Sequence, residues 1–140
     1  MIKLTLPRPP STNNLFGTRG AQRRCKTTRY AAWSRNAAWE IRAQRPGRLA
    51  GAVWIEIALE RPDAHRRDCS NFIKGIEDAL VDAGVIEDDS LVERVTVCWL
   101  PTRGDRAHIT VGSAESTQLK PARRTKGKPK CTRSDVSLAA

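Results

Sequence analysis

The sequence predicts a single α+β domain with its elements in the order β-α-β-α-β-β, followed by a basic C-terminal tail without folded structure. Three observations predict it. Four stretches alternate apolar and polar residues as strands do, two repeat apolar residues every three or four positions as helices do, and the last 28 residues hold almost no large apolar side chain. At 140 residues the chain fits one domain and buries a core without needing disulfides or a structural metal.

Ile2, Leu4 and Leu6 alternate with Lys3 and Thr5, and PRPPS then stops that strand, because proline cannot donate to a ladder. From Ser11 to Lys26 the chain is rich in Asn, Gly, Thr and Arg, with no apolar period, and reads as a long, basic, mobile loop. Thr28 is placed to cap a helix running through Ala43, with Tyr30, Trp33, Ala37 and Ile41 on one stripe and Arg29, Arg35 and Arg42 turned outward. RPGR at 45–48 ends it. Val53, Ile55, Ile57 and Leu59 then alternate with Trp54, Glu56 and Glu60 in a strand expected at the centre of the sheet.

After the loop RPDAHRR, a second helix is predicted from Ser70 or Asn71 to Ala83. Phe72, Ile73, Ile76, Ala79, Leu80 and Ala83 face inward and Gly84 stops it. VIEDDS is a turn, Leu91–Leu100 a third strand, and Ala107–Val111 a fourth after the TRGD turn. The folded domain is set at 1–112. From Ser113 onward the composition cannot bury enough surface to offset the entropy of ordering it, so 113–140 is expected to be a disordered basic tail.

The formal net charge is +10, unevenly spread. Residues 1–50 carry eleven basic and one acidic side chain, 51–112 seven basic and twelve acidic, and 113–140 seven basic and two acidic. Two basic flanks make a polyanion the expected partner, since neutralising phosphates releases condensed counterions. A merely soluble basic protein remains open on composition alone. Cys25, Cys69, Cys98 and Cys131 show no CxxC or CxxH spacing, and His65 and His108 stand apart from them, so zinc is excluded and reduced thiols are expected. No secretory h-region and no run of 18 apolar residues occurs, which points to a cytoplasmic protein with no membrane partner. No organic cofactor is expected.

The carboxylates gather at HRRDCSNFIKGIEDALVDAGVIEDD, residues 65–89. Asp68 precedes the second helix, Lys74 lies one turn inside it, and Asp88 and Asp89 follow it. If the chain returns so that these groups meet, they suit Mg²⁺, which prefers hard oxygen ligands and is held by one or two carboxylates plus substrate phosphate. Lys74 would then steady charge on the reacting phosphate. A plainer reading stays open beside it: Asp68 as a helix cap, Lys74 and Asp78 as a solvated i,i+4 pair, Asp88–Asp89 as turn chemistry.

Three stretches together, LPRPPSTNN, RRDCSNFIKGIEDAL and DAGVIEDDSLV, resemble the RusA family of Holliday junction resolvases, over about residues 2–111. The resemblance implies a mixed β-sheet with helices packed against it, and a homodimeric, often phage- or prophage-encoded endodeoxyribonuclease. It implies paired symmetrical nicks in four-way junctions and related branched DNA, with Mg²⁺ as cofactor and Mn²⁺ as a substitute. It places catalytic roles on Asp68, Lys74 and Asp89. Metal binding falls on Asp68, Asp88 and Asp89, with Ser70 acting through a water and Asp89 ranking above Asp88. Asn71 takes the family's asparagine position. Arg66 and Arg67, with Arg19, Arg23, Arg24 and Lys26 of the basic loop, are the expected DNA contacts.

The chain departs from the family at Ser70, where many members carry a second aspartate. Three outcomes follow: Asp88 supplies the missing charge, metal affinity weakens, or cutting is lost and a protein that binds branched DNA without cutting it remains. Retained cleavage is the favoured reading, and a basic adaptor for RNA or protein is the remaining alternative. Phe16 is either a stacking wedge or a loop anchor. The four tryptophans are expected in the core or a dimer interface, and His65 and His108 at surface or structural positions.

Overall fold

The computed structural model describes residues 1–20 and 23–114. Four strands form a mixed sheet: β1 (Ile2–Pro7), β4 (Val53–Arg61), β5 (Val92–Arg103) and β6 (Arg106–Ser113), in the order β1-β6-β4-β5. β4 and β5 run parallel, joined across the helix α2 (Ile73–Asp82); the other pairs are antiparallel. The predicted centre is right, because β4 pairs with β6 on one side and β5 on the other. The alternation in its sequence is the cause: Val53, Ile55, Ile57 and Leu59 are buried while Trp54, Glu56 and Ala58 lie on the more open face.

Both helices cover the same face. Leu4, Leu6, Ala107, Ile109 and Val111 join the β4 residues beneath Ala37 and Ile41 of α1 (Thr28–Gln44) and Ile76, Ala79 and Leu80 of α2. The cap of α1 is Thr27, one residue before the expected Thr28; its hydroxyl accepts from the Tyr30 N–H at 3.2 Å. At the far end, the Gln44 side-chain amide pairs with both backbone groups of Thr5, at 3.0 and 2.8 Å. That satisfies part of the outer edge of β1 much as another strand would.

Three expectations need correction. The long loop 11–26 is not featureless: a 3-10 turn (Thr12–Asn14) leads into a two-stranded ribbon, β2 (Phe16–Arg19) against β3 (Arg23–Lys26). Its sequence shows no alternation because little of it is buried. Leu15 at the base is fully buried and Phe16 meets Tyr30 edge-on at 5.8 Å, so tertiary anchoring and the backbone ladder hold it. The second helix does not start at Ser70 or Asn71, since Cys69–Phe72 is a 3-10 turn and α2 begins at Ile73. Ser113 belongs to β6 rather than to the tail, and Ala114 is buried with its N–H on the Ala52 carbonyl. The tail expected from there lies outside the described residues from position 115, as does Cys131.

Gly84 ends the α2 region with φ 74°, as its placement predicted. Cys25, Cys69 and Cys98 are free thiols. Among the described residues no helix is long and apolar enough to cross a membrane.

Candidate active site

The three stretches singled out in the sequence converge around the start of α2. Pro9 lies over Gly75, where an added Cβ would sit 2.8 Å from the proline Cβ, so a glycine is needed for the opening segment to rest on the helix. Thr12 donates its hydroxyl to the Asn71 carbonyl at 2.7 Å, and the Trp33 indole donates to the Pro7 carbonyl at 3.0 Å. From the other side β5 holds the turn before α2. Trp99 donates to the Arg67 carbonyl at 3.0 Å, its ring stands edge-on to Phe72 at 5.6 Å, and the Cys69 thiol faces the Val97 carbonyl at 3.8 Å.

Asp68 caps the 3-10 turn Cys69–Phe72. Its Oδ1 accepts from both the Ser70 N–H at 3.0 Å and the Ser70 hydroxyl at 2.7 Å. Oδ2 accepts no hydrogen bond among the described residues, and the residue is exposed. The Ser70 hydroxyl, then its N–H, holds the Asp68 carboxyl below the usual carboxylate range.

Lys74 is where the return of the chain shows. Its ammonium contacts Asp78 at 2.9 Å and Asp89 at 3.1 Å, fifteen residues ahead in the 3-10 turn Asp89–Leu91. With side chains 43% and 42% exposed, the Lys74–Asp89 pair stays open to a ligand. Asp78, then Asp89, pushes the Lys74 pKa up. Asp89 is held below its usual range by the adjoining Asp88 side chain and then by the Lys74 ammonium. Asp88 caps its own turn by accepting from the Ser90 N–H at 3.0 Å.

Behind this row, the buried Tyr30 donates its hydroxyl to Asp78 at 2.8 Å, and burial followed by that bond raises the tyrosine pKa. Glu77 is half-buried beside it, and burial raises its pKa despite the attraction of Lys74. The Tyr30 contact joins residues 48 apart, and in the sequence Tyr30 reads as one member of an apolar stripe.

The remaining predicted residues divide. Arg67 pairs with Asp63 at 2.8 Å, while Arg66 is exposed. Arg19 and Arg23 face each other in the backbone register of the ribbon. Arg24 lies over the Phe16 ring at 4.4 Å and Lys26 over Tyr30 at 5.1 Å, so Phe16 serves as an anchor with a cation stacked on it. Trp39 is 69% exposed and outside the core. Both histidines have partners: His108 meets Glu60, 48 residues away, at 3.0 Å, and His65 meets Asp63, two residues before it, at 3.3 Å.

Among the described residues no three His, Cys, Asp or Glu side chains are gathered as a full ligand set, so Asp68, Asp88, Asp89 and Ser70 are not a closed cage. The contact between separated stretches is that of Lys74 with Asp89; the donors of the two turns are hard oxygens, with the Cys69 thiol turned to the Val97 carbonyl. Such a set fits Mg²⁺, which keeps several waters and needs one or two protein carboxylates.

The endodeoxyribonuclease RusA family profile matches residues 7–112. The chain belongs to this family. The crossover junction endodeoxyribonuclease RusA of Aquifex aeolicus (strain VF5) is 31% identical over 87 residues, covering 61% of this chain and 68% of that one. The crossover junction endodeoxyribonuclease of Enterobacteria phage HK97 is 29% identical over 116 residues, covering 81% and 96%. The RusA match takes in all of RRDCSNFIKGIEDAL and DAGVIEDDSLV and begins within LPRPPSTNN, the stretches that surround the start of α2.

Proposed function

We propose that this RusA-family chain is a Mg²⁺-dependent endonuclease that resolves four-way DNA junctions by paired symmetrical nicks, acting as a homodimer. The observation that carries the reading is the contact of Lys74 with Asp89, which joins two separated family stretches at one open, oxygen-rich corner. The names of the relatives supply the substrate class. Two copies related by a two-fold axis match a junction whose strands must be cut in symmetric pairs.

In this reading Asp68, through its free Oδ2, and Asp89 hold the cation, with Asp88 adjoining. Bound there, the ion supplies Lewis acidity toward a phosphoryl oxygen and a lowered pKa for an attacking water. Ser70 fixes the Asp68 rotamer through Oδ1. Lys74, kept protonated by its two carboxylates, stands where it can offset charge developing on the phosphate or give a proton to the leaving oxygen. Arg66, Arg67 and Asn71 hold flanking phosphates, and Arg19, Arg23, Arg24 and Lys26 carry the ribbon's charge to the junction arms. The nuclease domain runs through Ala114 and the rest of the chain is a basic extension, acting in the cytoplasm, with a phage or prophage origin in keeping with the HK97 relative.

One observation favours a second reading. Ser70 in the second aspartate's place, with no group of three ligands gathered among the described residues, suits a protein that binds branched DNA without cutting it. Incubating the pure protein with a synthetic four-way junction and Mg²⁺ or Mn²⁺ separates the two. Paired nicks that disappear with chelator support the nuclease; an intact junction that is still bound, and is cut once Ser70→Asp is introduced, supports the binder.

A further inference from the structure

Beside the acidic corner lies a cleft of about 320 Å³ whose walls include Arg8, Arg29, Arg67, Ser11, Asn14 and Phe72. No carboxylate lines it. The three arginines come from three separate segments, so the fold and not local sequence assembles the positive charge. Arg8 is fixed in place: its Nη1 donates to the carbonyls of Glu60 at 2.9 Å and Gly104 at 3.0 Å. Those carbonyls orient the guanidinium without neutralising it. Arg29 is exposed in the first turn of α1, a turn with no acidic residue, and has no hydrogen bond or ion pair among the described residues. A cation at that end of a helix opposes the dipole, and an anion between it and the helix end would relieve both. Arg67 shares its charge with Asp63 from one side.

Arg67 and Phe72 also bracket the Asp68 turn, so cleft and acidic corner share a wall. A bare anion would leave much of the volume unfilled, whereas small-molecule sites begin near this size, at roughly 300 Å³. The proline rings and Phe72 give the remaining surface the apolar character a deoxyribose meets. The geometry points to a nucleotide subsite: Arg8, Arg29 and Arg67 hold a backbone phosphate of the cut strand adjoining the scissile one, with Ser11, Asn14 and Phe72 against its sugar.

This assignment rests on the DNA-cutting reading above, and its test separates the two. Four-way junctions carrying one neutral methylphosphonate linkage, moved stepwise past the cut position, are titrated with wild-type protein and with Arg29→Gln, in metal-free buffer. The wild type should bind several-fold less tightly when one particular linkage beside the cut site is neutral. Arg29→Gln should bind the unmodified junction several-fold less tightly, ignore that linkage, and show a salt slope smaller by about one, the value of one lost phosphate contact. Its melting temperature should match or slightly exceed that of the wild type, since the side chain is exposed and its charge opposes the helix dipole. An interference pattern and salt slope identical in the two proteins overturns the subsite while leaving the DNA reading intact. Phosphate ion binding that depends on Arg29, without any methylphosphonate effect, replaces the nucleotide with a free anion. Absence of junction binding by the wild type sinks the DNA reading itself and the subsite with it.

Discussion

Two turns flank α2 and are built alike. In Asp68-Cys69-Ser70 and Asp88-Asp89-Ser90 the first aspartate accepts from the serine N–H at 3.0 Å, and the residue after the serine donates back to its carbonyl, at 3.4 and 3.2 Å. The difference lies in what each turn presents. The first turns its middle residue, Cys69, onto β5 and offers Asp68 itself, whose second oxygen is free. The second keeps Asp88 as the cap and sends its middle residue, Asp89, to Lys74. In the proposed reading, equivalent backbone devices deliver carboxylates of different rank, and the capping aspartate is the working one in only one of them.

The largest expected effects test that ranking. Asparagine caps a turn as well as aspartate does, so Asp→Asn at each position removes charge while keeping the geometry. Asp68→Asn and Asp89→Asn should each lower junction cleavage by about 100-fold or more, the scale on which a single electrostatic stabiliser acts. Asp88→Asn should lower it less than about tenfold. Lys74→Ala should fall with the first group, with junction binding within about tenfold of wild type. Equal losses at 88 and 89 in a gel cleavage assay would break the distinction between the turns.

How far this was legible follows the same division. β4 could be read from Val53, Ile55, Ile57 and Leu59, and the inward face of α2 from Ile76, Ala79 and Leu80, because burial imposes a period on the sequence. The ribbon could not: Gly17, Thr18, Arg24 and Cys25 carry no period, and Leu15 and Phe16 anchor it through contacts made only after folding. Asp68, Lys74 and Asp89 were recognisable by type and by family likeness, but their distances were not. The bond from Lys74 to Asp89 depends on β5 returning beside β4, and the one from Tyr30 to Asp78 on α1 meeting α2. The i,i+4 pair of Lys74 and Asp78 is present too, so the plainer reading described a real contact while omitting the longer-range partner.

Ser70 sharpens the contrast from the other side. Its hydroxyl faces Asp68, so Ser70→Asp would set a second carboxylate beside the first. The expected result is a several-fold lower Mg²⁺ concentration for half-maximal cleavage, seen in a metal titration. In metal-free buffer the same variant should melt at a lower temperature, because two like charges then share one turn. No change in metal requirement would mean that Ser70 lies off the cation's coordination sphere.

Gly75→Ala acts on the scaffold that both turns share. Alanine favours a helix over glycine by about 1 kcal/mol, yet here its methyl would press on the Pro9 ring, and overpacking of this kind costs about 1–3 kcal/mol. A melting temperature a few degrees lower is expected, with cleavage reduced several-fold as the opening segment shifts from the helix. A variant more stable than wild type would show that Pro9 moves aside freely.

The smallest effect belongs to Glu77, whose pKa burial raises on balance. Its folded pKa lies above its unfolded one, so between the two values the native state binds more protons, and stability falls as pH rises through that window. Below the usual glutamate range both states are protonated and no penalty remains. Glu77→Gln should therefore raise the melting temperature of the metal-free protein by about a degree or two at neutral pH. The gain should vanish in acid. If Glu77→Gln instead destabilises at neutral pH, the attraction of Lys74 outweighs desolvation, and Glu77 belongs with Asp78 and Asp89 among the groups that hold that ammonium in place.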